Sequence, residues 1–247
     1  MYVVESFFSI QGEGKFIGTP SIFIRFGGCN MSCEGFTCSE VVNEKVTLIG
    51  CDSIYAVNHE HFSHTWQKIE NLEELIKHIT KHNISYSCDV VLTGGEPLIY
   101  STNNIFLEFL EYLHVNKHRV TFETNASISI DFDKYPIYKE MNYSMSVKLS
   151  NSNEDKKKRI NSKNISNIAL HVKDSFFKFV ISENNQIDEI EEIASYAPSL
   201  PIYCMAMCNS KNELEDRSLF VVEFCKKNGY IYNDRLHIRL WDKKKGI

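Results

Sequence analysis

Short apolar runs typical of β-strands alternate along the chain with longer segments that carry apolar residues at helical spacing. The strand-like runs lie near 21–26, 88–93, 119–123, 143–149, 175–181, 201–206 and 235–240, and the helix-like segments lie near 68–82, 103–116, 186–197 and 211–228. This alternation is typical of parallel sheets, because each connection returns through a helix outside the sheet. The sequence predicts an α/β fold, and 247 residues suffice for a single domain (1–247) with one core.

Two chemically distinctive segments follow the first two predicted strands. Cys29 and Cys33 come directly after the strand at 21–26, in a segment (27–37) that we name the cysteine loop. The strand near 88–93 ends in the glycine-rich turn Thr93-Gly94-Gly95-Glu96-Pro97. The carboxyl ends of parallel strands meet at one edge, where barrel enzymes gather their active sites. We therefore expect the cysteine loop and the glycine-rich turn to share one site in an incomplete (β/α) barrel.

The chemistry of the cysteines indicates an iron–sulfur enzyme that cleaves S-adenosylmethionine. Thiolates are the usual ligands of such clusters, and a cubane held by three protein sulfurs keeps one iron open for a small chelating ligand. The third ligand has two candidates: four residues separate Cys33 from Cys38, and 17 residues separate it from Cys51. Spacing alone favours Cys38.

Composition indicates the compartment of the protein and argues against two kinds of partner. Eight cysteines, in a chain without a positively charged apolar leader, indicate a reducing compartment, and we expect a cytoplasmic protein. Apolar runs fall short of the roughly 18 residues that a membrane span needs. A formal charge of −5 gives no basic field for nucleic acid, so we expect neither membrane nor nucleic-acid binding.

The chain resembles the 7-carboxy-7-deazaguanine synthases, which are radical S-adenosylmethionine enzymes. The similarity begins at 5–14, continues through Gly28-Cys29-Asn30 and the glycine-rich turn, and recurs at 122–125, 146–148, 177–180, 235–237 and Trp241. In that family the third cluster cysteine precedes Asp and then Thr or Ser, as only Cys51-Asp52-Ser53 does here. The resemblance implies a [4Fe-4S] cluster on Cys29, Cys33 and Cys51, with an insertion at about 34–50 that contains Cys38.

The resemblance also implies which residues bind the other ligands. The residues implied for S-adenosylmethionine are Gly50, Asp52, Gly94, Gly95, Glu96, Ser146, Val147 and Lys148. Those implied for the substrate are Ile10, Gln11, Gly12, Glu13, Arg25, Thr93, Glu123 and His237. Mg²⁺ is implied at Ser53. The match is weakest at Val147, where the family usually has Pro.

Residue chemistry supports several of these roles and leaves alternatives. The glycines at 94 and 95 would let backbone groups approach the methionyl amino group. The Ser53 hydroxyl is a hard ligand suited to Mg²⁺, or it caps the helix that follows. Arg25 interrupts an apolar strand and would grip a carboxylate, or it pairs with a neighbouring acid. In a strand over 235–240, His237 would face either the site or solvent.

The implied reaction is a radical ring contraction. A 5′-deoxyadenosyl radical would take hydrogen from 6-carboxy-5,6,7,8-tetrahydropterin, and loss of ammonia would give 7-carboxy-7-deazaguanine for queuosine-type biosynthesis. The family further implies a homodimer and an electron donor such as flavodoxin or ferredoxin. One alternative is an activase of a glycyl-radical enzyme, which would need no hydroxyl after the third cysteine. The other is a non-catalytic iron–sulfur electron carrier or redox sensor.

Other polar segments are interpreted as structural. The stretch 150–166, rich in Asn, Ser and Lys, is predicted to be a mobile loop. The histidines at 59, 61 and 64 are assigned to a surface loop, and those at 78 and 82 to a solvated helix face. Cys204 and Cys208 are expected in the core, where free cysteines behave as small apolar residues.

Overall fold

The computed structural model describes residues 1–43, 46–183, 186–244 and 246–247. The strands of the described residues are β1 (Tyr2–Ile10), β2 (Pro20–Phe26), β3 (Cys38–Asn43), β4 (Val46–Gly50), β5 (Gln67–Lys68), β6 (Asp89–Gly94), β7 (Val120–Thr124), β8 (Asn142–Met145), β9 (Ser175–Ile181), β10 (Ile202–Ala206) and β11 (Ile231–Tyr232). The α-helices are α1 (Ile54–Val57), α2 (His59–Phe62), α3 (Leu72–Thr80), α4 (Asn104–Val115), α5 (Lys156–Arg159), α6 (Ser162–His171), α7 (Ile187–Ser195), α8 (Lys211–Asn228) and α9 (Leu236–Trp241).

Nine strands form one sheet in the order β11-β10-β9-β8-β7-β6-β2-β1-β5. In this order, all the strands from β11 to β2 run parallel to one another. Strands β1 and β5 then continue the sheet at one side with antiparallel pairing. Side chains from β2, β6, β7 and β9 line one cavity. The sheet therefore curves as the predicted incomplete barrel does, and the α/β prediction is confirmed.

Helix α4 shows how the helices cover the outside of the sheet. Phe106, Phe109 and Leu113 lie three or four residues apart and are fully buried, so one face of the helix packs on the strands. The Phe106 ring lies 5.3 Å from that of Phe26 on β2 and 6.1 Å from that of Phe122 on β7. Each such buried side chain stabilises the fold by about 1.5–3 kcal/mol.

Side-chain caps fix where several helices begin. Asn71, Asn103, Asn161 and Ser210 precede α3, α4, α6 and α8, and each accepts a hydrogen bond from a backbone N–H in the first turn. Among the described helices, none is both long and apolar enough to cross a bilayer.

The structure corrects four sequence predictions. His59 and His61, assigned to a surface loop, lie in the helix α2. The run at 235–240 is the helix α9, because its alternating apolar residues do not share a buried face: Ile238 is buried and Leu240 is exposed. The segment 150–166, predicted as a loop, contains a 3-10 turn (Ser150–Ser152), α5 and the start of α6. His78 is buried and bonded to the Ser6 hydroxyl at 2.8 Å.

A two-stranded sheet occupies most of the segment predicted as an insertion. Strands β3 and β4 pair antiparallel, and Cys38 lies opposite Gly50. Residues 44 and 45 of this segment lie outside the described part of the chain. A hairpin returns the chain to where it started, so the residue after β4 lies beside the cysteine loop.

Candidate functional site

One cavity of about 770 Å³ opens at the carboxyl ends of the parallel strands. This volume is in the range of small-molecule sites. Every residue predicted for the cluster, the cofactor or the substrate lines it, except Gly50 and Glu96, which lie behind its wall. The structure thus brings together segments that span the whole sequence, from Ile10 to His237.

Cys29, Cys33 and Cys51 line the same part of the cavity and lie close enough to act electrostatically on one another. Burial is the main cause that raises the pKa of the Cys29 and Cys51 thiols to about 12 each, and the nearby Cys33 thiol contributes to both shifts. Cys51 comes directly after β4, so the hairpin closes the 17-residue gap from Cys33. The number of residues between Cys33 and Cys51 therefore does not reflect their separation in the folded chain. We call these three cysteines, with the glycine-rich turn, the thiol end.

Cys38 faces different partners, although it also lines the cavity. The Asn209 amide donates to its sulfur at 3.4 Å. Burial raises the pKa of the Cys38 thiol, and the charges that act on it include Asp52 and Arg235.

The glycine-rich turn packs directly on the cysteine loop. A Cβ on Gly95 would lie 2.2 Å from the Gly28 oxygen and 2.8 Å from the Cys29 Cβ. A Cβ on Gly94, whose φ is +144°, would lie 2.1 Å from the Phe26 oxygen. The end of β2 and the cysteine loop therefore occupy the positions where side chains at 94 and 95 would lie, while both glycines still line the cavity. The absence of side chains at these two positions lets the segments pack this closely.

The Glu96 carboxylate is held by hydrogen bonds from neighbouring segments of the protein. One carboxylate oxygen accepts from the Thr124 hydroxyl at 2.8 Å and from the Leu98 N–H at 3.0 Å, and the other accepts from the Asn125 N–H at 2.7 Å. Burial raises the pKa of this carboxyl, while these N–H groups oppose the shift. Glu96 thus joins the glycine-rich turn to the end of β7.

The donor set of the thiol end fits an iron–sulfur cluster. It presents three cysteine sulfurs, and a cubane held by three protein sulfurs keeps one iron open. The described residues contain no group of three His, Cys, Asp or Glu side chains that could hold a single metal ion. A cluster has several metal atoms, so its ligands are spread more widely than those of one ion.

Ser53 and Arg25 lie next to the thiol end. Ser53 occupies the position before α1, but its hydroxyl accepts no capping hydrogen bond within the described structure. It donates to the Asp52 carboxylate at 3.0 Å and lies 3.5 Å from Nη1 of Arg25. The Arg25 Nε donates to Glu5 at 2.7 Å, so the ion pair considered as an alternative is present. Arg25 also lines the cavity.

Opposite the thiol end, charged side chains form a polar wall, defined as Glu13, Glu123, Lys178 and Arg235. Lys178 donates to Glu13 at 3.0 Å and to Glu123 at 3.3 Å, and Arg235 donates to Glu13 at 2.8 Å. Burial alone would raise the pKa of Glu13, but Lys178 and Arg235 hold it well below its usual range. The wall therefore presents an ionised Glu13 carboxylate held in place by two cations.

Three further predicted residues join this wall. Gln11 and Thr93 each donate to Glu123 at 3.3 Å. His237 comes from the helix α9, and its Nε2 lies 3.9 Å from the Glu13 carboxylate. Burial lowers the pKa of the imidazole, which favours its neutral form. A Cβ on Gly12 would lie 2.2 Å from Nδ1 of His237, so this glycine makes room for the ring.

Ser146, Val147 and Lys148 follow β8 and lie between the thiol end and the polar wall. The Lys148 ammonium donates to the Ser146 hydroxyl at 3.2 Å. Its charge also lowers the thiol pKa values of Cys33 and Cys51. A positive group here is placed to meet the carboxylate of a bound ligand.

Lys178, Arg235 and Glu154 were not predicted as site residues. Lys178 had a sequence signal, because a lone lysine interrupts the apolar strand β9 as Arg25 interrupts β2. Arg235 was placed on a strand face, and no local pattern indicated its contact with Glu13. Glu154 lies in the presumed loop, yet its carboxylate accepts hydrogen bonds from the cysteine loop.

Comparisons with known proteins decide the family. Residues 10–169 match the family described as "4Fe-4S single cluster domain". The 7-carboxy-7-deazaguanine synthase of Rickettsia prowazekii is 30% identical over 217 residues, which cover 87% of this chain and 77% of that protein. This chain belongs to the 7-carboxy-7-deazaguanine synthase family. The synthase of Halobacterium salinarum is 26% identical over 96% of this chain and 89% of its own length.

Solved structures confirm the fold. The crystal structure of QueE from Escherichia coli superimposes with a TM-score of 0.68 at 18% identity, covering 96% of this chain and 94% of that one. Streptococcus suis SuiB bound to its precursor peptide gives a TM-score of 0.54 at 14% identity, over 85% of this chain and 47% of SuiB. These structures support the fold, and the sequence comparisons confirm the predicted family and the predicted iron–sulfur class.

Proposed function

We propose that this member of the 7-carboxy-7-deazaguanine synthase family converts 6-carboxy-5,6,7,8-tetrahydropterin to 7-carboxy-7-deazaguanine, with release of ammonia. The observation that carries this proposal is a single cavity with three thiols at one end and, at the other, carboxylates held by Lys178 and Arg235. An electron carrier or redox sensor has no use for such a polar cavity. A glycyl-radical activase would not need the Asp52–Ser53 pair beside the thiols.

At the thiol end, Cys29, Cys33 and Cys51 would hold the cluster, and Lys148 and Ser146 would contact S-adenosylmethionine. When bound, the cluster supplies the electron that cleaves S-adenosylmethionine to an organic radical. Lys148 offers a positive charge to the cofactor carboxylate. Asp52 and Val147 line the same space, whereas Gly50 and Glu96 support it from behind.

At the polar wall, the residues match a carboxylated pterin. The guanidinium of Arg25 would bind the substrate carboxylate, with Mg²⁺ at the Ser53 hydroxyl beside it. The carboxylates of Glu13 and Glu123 would accept from the amino and ring N–H groups, while Gln11 and Thr93 fix Glu123. Neutral His237 lies near Glu13, where it can accept or donate one proton.

Several finer points stay predictions. They are the homodimer, the flavodoxin or ferredoxin electron donor, the single-domain organisation with its insertion, the cytoplasmic location and the Mg²⁺ ion. The convergence of Cys29, Cys33 and Cys51 supports Cys51 as the third ligand, since Cys38 is engaged with Asn209.

Anaerobic turnover tests the proposal. The pterin substrate is incubated with S-adenosylmethionine, Mg²⁺ and a strong reductant, and products are identified by mass for wild type, Cys51→Ala and Cys38→Ala. We expect the deazapurine from wild type and Cys38→Ala, and none from Cys51→Ala. If the deazapurine product is lost in Cys38→Ala and not in Cys51→Ala, Cys38 is the third cluster ligand. Cleavage of S-adenosylmethionine by wild type without a deazapurine would show that the substrate is wrong.

A further inference from the structure

The cysteine loop is bonded to a carboxylate from a distant segment. One oxygen of Glu154 accepts from the Cys33 N–H at 2.8 Å, from the Ser32 hydroxyl at 3.1 Å and from the Ser32 N–H. The other oxygen accepts from the Lys158 ammonium at 2.7 Å. The Glu154 side chain is only 5% exposed, whereas that of Lys158 is 47% exposed. The site already described gives this pair no role.

The backbone of the cysteine loop needs such support. Cys33 has a φ of 51°, in the left-handed region that non-glycine residues seldom adopt. A residue keeps this conformation only when its surroundings hold it. A Cβ on Gly35 would lie 2.2 Å from the Asn151 oxygen, so the turn after Cys33 also packs closely on the segment that carries Glu154.

The long gap before Cys51 adds to this need. With 17 residues between Cys33 and Cys51, closing the loop costs more chain entropy than a short spacing would. A fixed Cys33 lowers that cost, because one end of the loop is then already in place.

We propose that Glu154 is a positioning residue for the cluster, and that Glu154 and Lys158 set its reduction potential with opposite signs. The inference rests on the proposed ligation by Cys29, Cys33 and Cys51. Cluster potentials depend on net charge and on hydrogen bonds to the sulfurs. Glu154 places a negative charge beside Cys33 and occupies the N–H groups of Ser32 and Cys33. Both effects disfavour addition of an electron, and the Lys158 charge opposes the first.

The test is a redox titration of the anaerobically reconstituted protein, followed by EPR, with iron counted per chain. Glu154→Gln keeps the shape and one acceptor oxygen but removes the charge, so its midpoint potential should rise while its iron content matches wild type. Lys158→Met should shift the potential in the opposite direction. Glu154→Ala should weaken metal retention by about 10-fold or more, because outer ligands hold the inner ones in place.

Lys156→Met is the matched control. Lys156 lies on the same short helix and pairs with Glu192 at 2.7 Å, away from the cysteine loop, so its loss should leave the potential unchanged. If Glu154→Gln and Lys158→Met both load the cluster and keep the wild-type potential and EPR signal, the proposed role of Glu154 and Lys158 is overturned, and the proposed function is not affected. A wild-type protein that forms no cluster would instead overturn the proposed function on which the inference rests.

Discussion

The two ends of the cavity are built by different physical means. At the thiol end, the glycine-rich turn and the cysteine loop pack so closely that no side chain fits between them at Gly95. At the polar wall, by contrast, Glu13, Glu123 and Lys178 stand on separate segments and are held by mutual charge. The thiol end therefore depends on shape, and an added side-chain atom at Gly95 should disrupt it. The polar wall depends on charge balance, so replacing a cation and its carboxylate partner together should do less harm than replacing the cation alone.

The largest effect is expected from adding one methyl group at the thiol end. In Gly95→Ala the new Cβ would collide with the Gly28 backbone and displace Cys29, so we expect turnover to fall about 100-fold or more. Iron content and anaerobic turnover measure this. Gly18→Ala is the control, because no described atom lies within 4 Å of its Cβ position, and its φ of +85° costs about 1–2 kcal/mol. Full cluster loading in Gly95→Ala would contradict the shape argument.

The polar wall should respond to removal of its central charge. Lys178→Met leaves Glu13 paired with Arg235 but removes the cation shared by Glu13 and Glu123, and it should lower the free energy of unfolding by about 1–3 kcal/mol, as measured by urea denaturation. The double variant Lys178→Met/Glu123→Gln should recover part of this loss. Lys15→Met removes an exposed pair with Asp174 and should cost about 0–1 kcal/mol.

The same variant should change the pH dependence. In wild type the pKa of Glu13 is depressed, so the stability from its pairing is present above the ordinary glutamate pKa and is lost as pH falls toward the depressed value. Without Lys178 the pKa of Glu13 rises. The profile of kcat/KM should then gain an acid limb, with activity recovering as pH rises. An unchanged profile would show that Glu13 does not need its charge.

A smaller effect is expected at Ser53, where the two ends meet. Ser53→Ala removes the proposed Mg²⁺ ligand, and the Mg²⁺ concentration for half-maximal activity should rise about 10-fold. Its stability should stay within about 0.5 kcal/mol of wild type, because the hydroxyl accepts no capping bond in the described structure. Ser53→Thr keeps the hydroxyl and should behave as wild type. If Ser53→Ala and Ser53→Thr show the same dependence on Mg²⁺ concentration, Ser53 is not a Mg²⁺ ligand.

Much of the fold could be predicted because it depends on local patterns. Strands β2, β6, β7, β9 and β10 and helices α3, α4, α7 and α8 lie close to the predicted positions. The prediction of a strand at 235–240 was wrong because six residues are too few to separate a period of two from helical spacing when Ile238 is the one buried apolar residue among them. Strand β1, which lies between β2 and β5, was missed, since its mixed apolar and polar residues show no clean alternation.

The sequence by itself determined the α/β architecture, the cysteine loop after β2 and the glycine-rich turn after β6, because each depends on residues close together in the chain. Tertiary structure decided which groups meet. The β3–β4 hairpin brings Cys51 to Cys29 and Cys33 across a gap that spacing disfavoured. Likewise, Glu154 reaches the Cys33 N–H from 121 residues away. Such pairs form through space and leave no local pattern in the sequence, so only the folded chain reveals them.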